Sequence, residues 1–320
     1  MAQLLTVSDL VTEFATARGA LRAVDGASIE VAKGETVGLV GESGCGKTAL
    51  GLSILRLIEP PGRIAGGTIR LEGEDLLGKS DEEMRRLRGH KLSMIFQDPT
   101  STLNPVVPIG AQIAELARTH LGCGRREARR LAIDMLGAVG IPSPGQRYTS
   151  YPHELSGGMQ QRVIIACALL LNPRLVIADE PTTALDVTVQ GQILDLLARL
   201  ASGKSGTAVV LISHDLGVVA ETCARVYVMY CGKVVESGPT ERILAEPLHP
   251  YTQGLLASIP KIDGNAGELS PIPGTVADPL SPPAGCRFHP RCLHAFERCR
   301  MEEPKLRDRG GRSVACHLYE

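Results

Sequence analysis

The chain has 320 residues, 43% of them hydrophobic and 22% charged, and a formal net charge of −1. That is a globular composition with ample core, long enough for two domains or for one large domain with an appendage. The near-neutral charge excludes a global attraction to nucleic acid, and the lack of Trp with only 3% aromatics disfavours a base-stacking platform.

Residues 3–33 alternate apolar and polar: Leu5, Val7, Leu10 and Val11, then Leu21, Val24, Ile29 and Val31. The pattern predicts a small antiparallel sheet that turns near Arg18 and Gly19. Phe14 in its first half reads either as a ring that stacks on a purine or as an ordinary strand aromatic. A buried strand follows at Glu35–Val40, and then the run Gly41, Glu42, Ser43, Gly44, Cys45, Gly46, Lys47, Thr48. Its spacing is G-x-x-x-x-G-K-[ST], that of a phosphate-binding loop, and Ala49–Ile58 behind it is apolar at helical spacing. Glycines let such a backbone curl until its N–H groups face phosphate oxygens, and the helix adds its positive dipole end. Lys47 then reaches the β- and γ-phosphates and Thr48 holds Mg2+. Cys45, beside Lys47 at a helix start, sits where a thiol pKa is expected to fall, which predicts that its alkylation blocks hydrolysis and that ATP protects it.

Gly67–Gly73 reads as a strand, Asp81–Arg88 as a charged helix and Lys91–Phe96 as another strand. Gln97 at its end is placed to reach a metal-bound water, or else caps the chain before Pro99. Residues 107–145 form a helical insert, Ile109–Leu121 and then Arg125–Val139, stopped by Gly140 and Pro142. The Arg125–Arg130 run is a solvated helix face or a grip for acidic partners. Ser156, Gly157 and Gly158 open a helix that runs through Leu171 and make a second anion site. A single nucleotide does not need two such sites, so the second is expected to cup the nucleotide of a partner subunit. Arg174–Glu180 is an apolar run ending in two carboxylates. As a buried parallel strand it delivers Asp179, for Mg2+ through water, and Glu180, as general base toward the attacking water. Asp186 follows shortly after. The strand Gly206–Ser213 ends at His214, which is placed to meet the γ-phosphate or the water.

Nine cysteines are present, five scattered (Cys45, Cys123, Cys167, Cys223, Cys231) and four in the tail: Cys286, Cys292, Cys299 and Cys316. No secretory leader is visible at Met1–Thr6, and no apolar run reaches about 18 residues. In a reducing compartment the four tail cysteines read as metal ligands rather than bridges. Their wide spacing, C-x5-C, C-x6-C and C-x16-C, favours a [4Fe–4S] cluster over zinc, whose structural sites bring closer pairs. His289, His294 and His317 stand ready to replace a thiolate around zinc; the remaining reading is reduced thiols in a small core. Residues 261–285, rich in Pro and Gly, link this tail to the core. In either metal case the tail is too short to build a core alone, and the metal supplies its folding energy.

The ordered set Gly41–Thr48, Gln97, Leu155–Met159, Leu175–Glu180, Ala184–Asp186 and His214 resembles the nucleotide-binding subunit of ABC transporters across residues 1 to about 245. The resemblance implies an α/β, P-loop NTPase ABC-type core at 1–245, with an antiparallel β subdomain and an α-helical subdomain at about 98–160. A small Cys-rich, metal-binding extension at 246–320 completes the expected fold. It implies two subunits stacked head to tail, each ATP held between one phosphate loop and the other subunit's Ser156, Gly157 and Gly158. Thr48, Gln97 and Asp179 then hold Mg2+, Phe14 meets the adenine, Asp186 joins the nucleotide site, and Lys47, Glu180 and His214 carry the hydrolysis. Phe96–Pro105, Tyr151–Glu154, His249–Thr252 with Leu255–Pro260, and Gly285–Cys292 look like the oligopeptide/dipeptide permease branch, which nickel importers share and some of whose members carry an iron–sulfur cluster. That branch implies a paralogous second ATPase subunit, two transmembrane permease subunits gripped by the helical insert, and an extracytoplasmic substrate-binding protein. The expected place is peripheral, on the cytoplasmic face of a bacterial plasma membrane, with no nucleic-acid partner. The expected activity is ATP hydrolysis that powers import of di- or oligopeptides, with nickel, glutathione or a haem-like ligand as other cargoes. Two rivals are a soluble ABC ATPase acting on nucleic acid or the ribosome, against which the single core and net charge argue, and a non-hydrolysing subunit, against which Glu180 argues.

Overall fold

The computed structural model describes residues 3–182, 187–202, 206–258 and 272–320. In chain order it opens with β1 (Gln3–Thr16), β2 (Gly19–Ala32), β3 (Thr36–Val40), α1 (Lys47–Ile54), β4 (Gly62–Leu71) and β5 (Glu74–Asp75). Then come α2 (Asp81–Leu87), β6 (Leu92–Ile95), α3 (Pro99–Thr102), α4 (Ile109–Leu121), α5 (Arg125–Ala138), α6 (Pro144–Arg147) and α7 (Gly157–Leu169). The chain continues with β7 (Leu175–Asp179), α8 (Val187–Ser202), β8 (Ala208–Ser213), α9 (Leu216–Thr222), β9 (Arg225–Tyr230) and β10 (Lys233–Pro239). It ends with α10 (Thr240–Ala245), α11 (Pro250–Ala257), α12 (Glu297–Met301), β11 (Arg307–Asp308) and β12 (Ser313–Val314). Two compact units result, one of residues 32–36 and 78–211, the other of residues 3–31, 37–77 and 212–320.

In the first unit β6 and β7 run parallel, from Leu92 opposite Leu175 to Ile95 opposite Ala178, and β8 lies on the other side of β7. Every residue of these strands is buried, the signature of a parallel sheet covered on both faces. The helices α4 and α5 pack on each other and on α7. In α4, Ile109, Ile113 and Ala117 are buried at four-residue spacing, and Gly122 at φ 64° ends the helix. Ser80 and Glu83 form a capping box that fixes the start of α2.

In the second unit β2, β1, β4 and β5 form an antiparallel sheet, with Leu5 opposite Leu71 and Phe14 opposite Gly62. A separate ladder pairs β3 with β9 in parallel and then β9, β10, β12 and β11 antiparallel. Residues 272–320 are thereby stitched to the sheet through β12. An aromatic cluster reinforces the join: the Tyr230 ring lies 4.6 Å from that of Tyr251 and 5.2 Å from that of Phe288, and Tyr251 and Phe288 are 5.4 Å apart. Each such pair contributes about 0.5–1.5 kcal/mol beyond its buried area.

The tail corrects the metal expectation. Among the described residues no group of three or more His, Cys, Asp or Glu side chains is arranged to hold a metal ion. Cys286, Cys292, Cys299 and Cys316 do line one small cavity, with room for about one water between them. All nine cysteines are free, and burial pushes the Cys286 and Cys316 thiols up to about 11. His317 is equally committed, with Nδ1 at 3.0 Å from a Glu320 carboxylate oxygen and Nε2 at 2.9 Å from the Glu302 carbonyl. Neither the iron–sulfur cluster nor zinc is supported. The expectation failed because it treated the tail as an isolated fold. Docked on β10, with Phe288, Cys299, Val314 and Cys316 buried, the tail has a core without a metal.

His249 makes this region sensitive to acid. Its ring is buried, and Nδ1 accepts the Tyr251 N–H at 3.0 Å. Burial pushes the imidazole from its ordinary 6.5 down to about 3. As pH falls below 6.5 the unfolded chain takes up a proton that the native chain refuses, so stability is whole above 6.5 and is lost between 6.5 and 3. By pH 5 this one residue should remove about 2 kcal/mol. Urea unfolding at pH 7 and pH 5 should show that drop, and His249→Asn, which keeps an acceptor but does not titrate, should shrink it. An unchanged pH dependence in His249→Asn would show that other groups cause it.

Candidate functional site

The loop between β3 and α1 is built by contacts that only glycine permits. Gly41 has φ 152°, and a Cβ there would lie 2.2 Å from the Met229 carbonyl oxygen; Gly46 has φ 107°, and a Cβ would lie 2.1 Å from that of Ala23. These close approaches fold the loop tightly and leave Ser43, Gly44 and Thr48 exposed. Lys47 is buried and curls back, its Nζ donating to the carbonyls of Gly41 at 2.7 Å and Glu42 at 3.0 Å. An ammonium is thus held against the backbone of a glycine-rich loop at a helix start, a combination that receives phosphate.

Cys45 differs from expectation. Its side chain is turned into the core at 1% exposure, with Sγ 3.7 Å from Lys47 Nζ. Burial raises its pKa, and the nearby Lys47 charge only partly offsets that. The local cue of a helix start and a neighbouring cation gave the wrong sign because desolvation outweighs both. Cys45 is a buried packing thiol, so the predicted reactivity toward alkylating agents is withdrawn.

In the first unit Asp179 closes the buried strand β7, and Glu180 leaves it at φ 45°, the left-handed region that non-glycine residues seldom enter. Gln97, just past β6, donates from Nε2 to Glu180 Oε2 at 3.0 Å. The structure therefore joins two of the expected residues directly, with Gln97 steadying the carboxylate. Ser156 is the N-cap of α7 and its Oγ accepts the Met159 N–H at 3.4 Å. Ser156 and Gly157 are exposed, so the helix start is open to a ligand from outside.

His214 is exposed between β8 and α9, whose N-cap Asp215 accepts the Gly217 and Val218 N–H groups at 2.8 and 3.3 Å. Phe14 is half-buried and its ring lies over Gly62, where a Cβ would fall 2.5 Å from a ring carbon. One duty of that ring is therefore to cover the cross-strand glycine. Asp186 lies outside the described residues. The Thr48 hydroxyl, the Asp179 carboxylate and the Gln97 amide oxygen are each a hard oxygen donor, the kind that Mg2+ prefers.

Residues 24–183, half of the chain, match the family model described as ABC transporter. The chain belongs to the ABC transporter ATP-binding family. Residues 235–299 of this ABC ATPase match a second model, the C-terminal region of oligopeptide/dipeptide transporters. Among its relatives, the oligopeptide transport ATP-binding protein AppD of Bacillus subtilis (strain 168) is 49% identical over 322 residues, covering 100% of this chain and 98% of AppD. The dipeptide transport ATP-binding protein DppD of Escherichia coli (strain K12) is 47% identical over 315 residues, 98% of this chain and 96% of DppD. Among solved structures, the dimeric ATP-binding cassette MJ0796 bound to ADP and Pi superposes with a TM-score of 0.67 at 25% identity, over 74% of this chain and 99% of that one.

Two residues within the C-terminal region of this ABC ATPase touch the phosphate loop and were not among the expected site residues. Tyr251 Oη accepts the Glu42 N–H at 2.8 Å, and Arg291 grips the Glu42 carboxylate with both terminal nitrogens. Both lie in stretches that carry the family resemblance, His249–Thr252 and Gly285–Cys292. Nothing in their spacing points at a loop more than 200 residues upstream.

Proposed function

We propose that the chain is the ATP-binding and ATP-hydrolysing subunit of an importer for di- or oligopeptides, peripheral at the cytoplasmic face of a bacterial plasma membrane. The observation that carries this reading is the match along essentially its whole length, C-terminal region included, to proteins named for oligopeptide and dipeptide transport. No described helix is long and apolar enough to cross a membrane. In this reading two transmembrane permease subunits hold the chain there. An extracytoplasmic binding protein delivers the cargo.

In this reading ATP enters at the loop, and Lys47 Nζ exchanges the Gly41 and Glu42 carbonyls for β- and γ-phosphate oxygens. Thr48, Gln97 and Asp179 would hold Mg2+, which would supply charge neutralisation for the phosphates. A second, paralogous ATPase subunit closes over the nucleotide with its own signature turn, while Ser156, Gly157 and Gly158 here serve the partner's nucleotide. Glu180 takes the proton of the attacking water, Gln97 keeps its carboxylate in place, and His214 orients the water against the γ-phosphate. Phe14 and Asp186 complete the nucleotide's surroundings. Capture of the tagged chain from detergent-solubilised membranes of its host tests the assembly. Recovery of two hydrophobic permease subunits and a second ATPase is expected; recovery of ribosomes or nucleic acid with no membrane protein would contradict it.

A further inference from the structure

Glu42 is the second residue of the phosphate loop, and a carboxylate there has the wrong sign for a site that collects a triphosphate. The structure neutralises it from the C-terminal segment. Arg291 Nη1 and Nη2 donate to the two Glu42 oxygens at 2.7 and 3.0 Å, a fork that pairs guanidinium with carboxylate. The guanidinium is fixed independently of Glu42: its Nε donates to the Pro273 carbonyl at 2.9 Å, and it lies 5.9 and 6.0 Å from the ring centres of Tyr230 and Phe288. The Arg291 side chain is 5% exposed. Tyr251, fully buried in the same aromatic cluster, accepts the Glu42 N–H, so both the backbone and the side chain of Glu42 are held by one module. The loop's far side is pinned as well, Gly232 N–H donating to the Cys45 carbonyl at 2.8 Å.

We propose that Arg291 and Tyr251 are positioning residues for ATP binding: the C-terminal segment clamps Glu42, cancels its charge and sets the entrance of the phosphate loop. The inference rests on the reading that this loop binds ATP. It gives the segment a role in the nucleotide site itself, so that loss of its docking would be felt as weaker ATP binding. Reciprocally, bound ATP would tighten the segment against the loop.

The test uses the full-length purified chain and titration with Mg-ATP. Wild type should bind; if it does not, the nucleotide reading fails and not merely the clamp. Arg291→Ala should raise the Kd about tenfold, because an unpaired Glu42 carboxylate then faces the triphosphate. Hydrolysis at saturating ATP, measured with the second ATPase subunit present, should change less than about twofold, which places the effect in KM rather than kcat. Arg291→Ala combined with Glu42→Gln should recover most of the affinity, since no bare carboxylate is left. Arg291→Lys should recover only part, because an ammonium keeps the charge but cannot make the fork. Unchanged affinity in Arg291→Ala overturns the proposal, and so does a double variant as weak as the single one, which would mark the ion pair as merely structural. Should Arg291→Ala fail to fold, Glu42→Gln alone decides. It should bind ATP at least as tightly as wild type, and binding weakened more than about threefold would contradict the clamp.

Discussion

Glu180→Gln should slow ATP hydrolysis by at least about 100-fold while ATP still binds, the scale on which a positioned general base acts. Glu180 is delivered by a strand buried from end to end and leaves it in a left-handed backbone conformation, so its carboxylate is placed by the fold rather than by a flexible loop. The amide of a glutamine has nearly the same shape and keeps an oxygen to accept the Gln97 hydrogen bond. What it loses is basicity. Phosphate release and nucleotide retention measured on the same sample separate the two effects. Retention with little release is the expected pair; near-normal release would place the base elsewhere.

Lys47→Ala should weaken ATP binding by about 100-fold or more and bring hydrolysis below detection. The ammonium donates two short hydrogen bonds to loop carbonyls, and the phosphates would take them over. Charge-assisted hydrogen bonds of this kind are worth about 1.5–3 kcal/mol each, and two of them account for the expected factor. Lys47→Arg should not rescue binding, because a planar guanidinium does not fit a position that is 5% exposed. Titration with Mg-ATP checks both variants. Binding within about threefold of wild type in Lys47→Ala would remove Lys47 from the site.

What the sequence made legible was local. The phosphate loop could be read because its glycines, its lysine and its flanking strand and helix lie within a short stretch, and each obeys a steric or periodic rule. Helix α4 spans Ile109–Leu121, the bounds expected of it, and the structure places Pro108 before it and Gly122 after. The β1–β2 hairpin turns at residues 17–18, beside the Arg18–Gly19 signal. What was hidden depends on burial or on distant pairing. The Cys45 cue came from two neighbours, and its failure came from packing that those neighbours do not reveal. Four tail cysteines at irregular spacing suggested a metal, because nothing in their order shows that β12 would pair with β10 and give the tail a core. Arg291 and Glu42 are 249 positions apart, and no pattern within either segment anticipates that they meet.

That each ATP needs the signature turn of a second subunit is tested most directly by the hydrolysis rate per chain, followed as the second ATPase subunit is titrated into this one while light scattering detects pairs. The expected result is a rate close to zero for the monomer that rises as pairs form, with pairs held together by ATP in Glu180→Gln. Full-speed hydrolysis by a chain that stays monomeric at every concentration would contradict it.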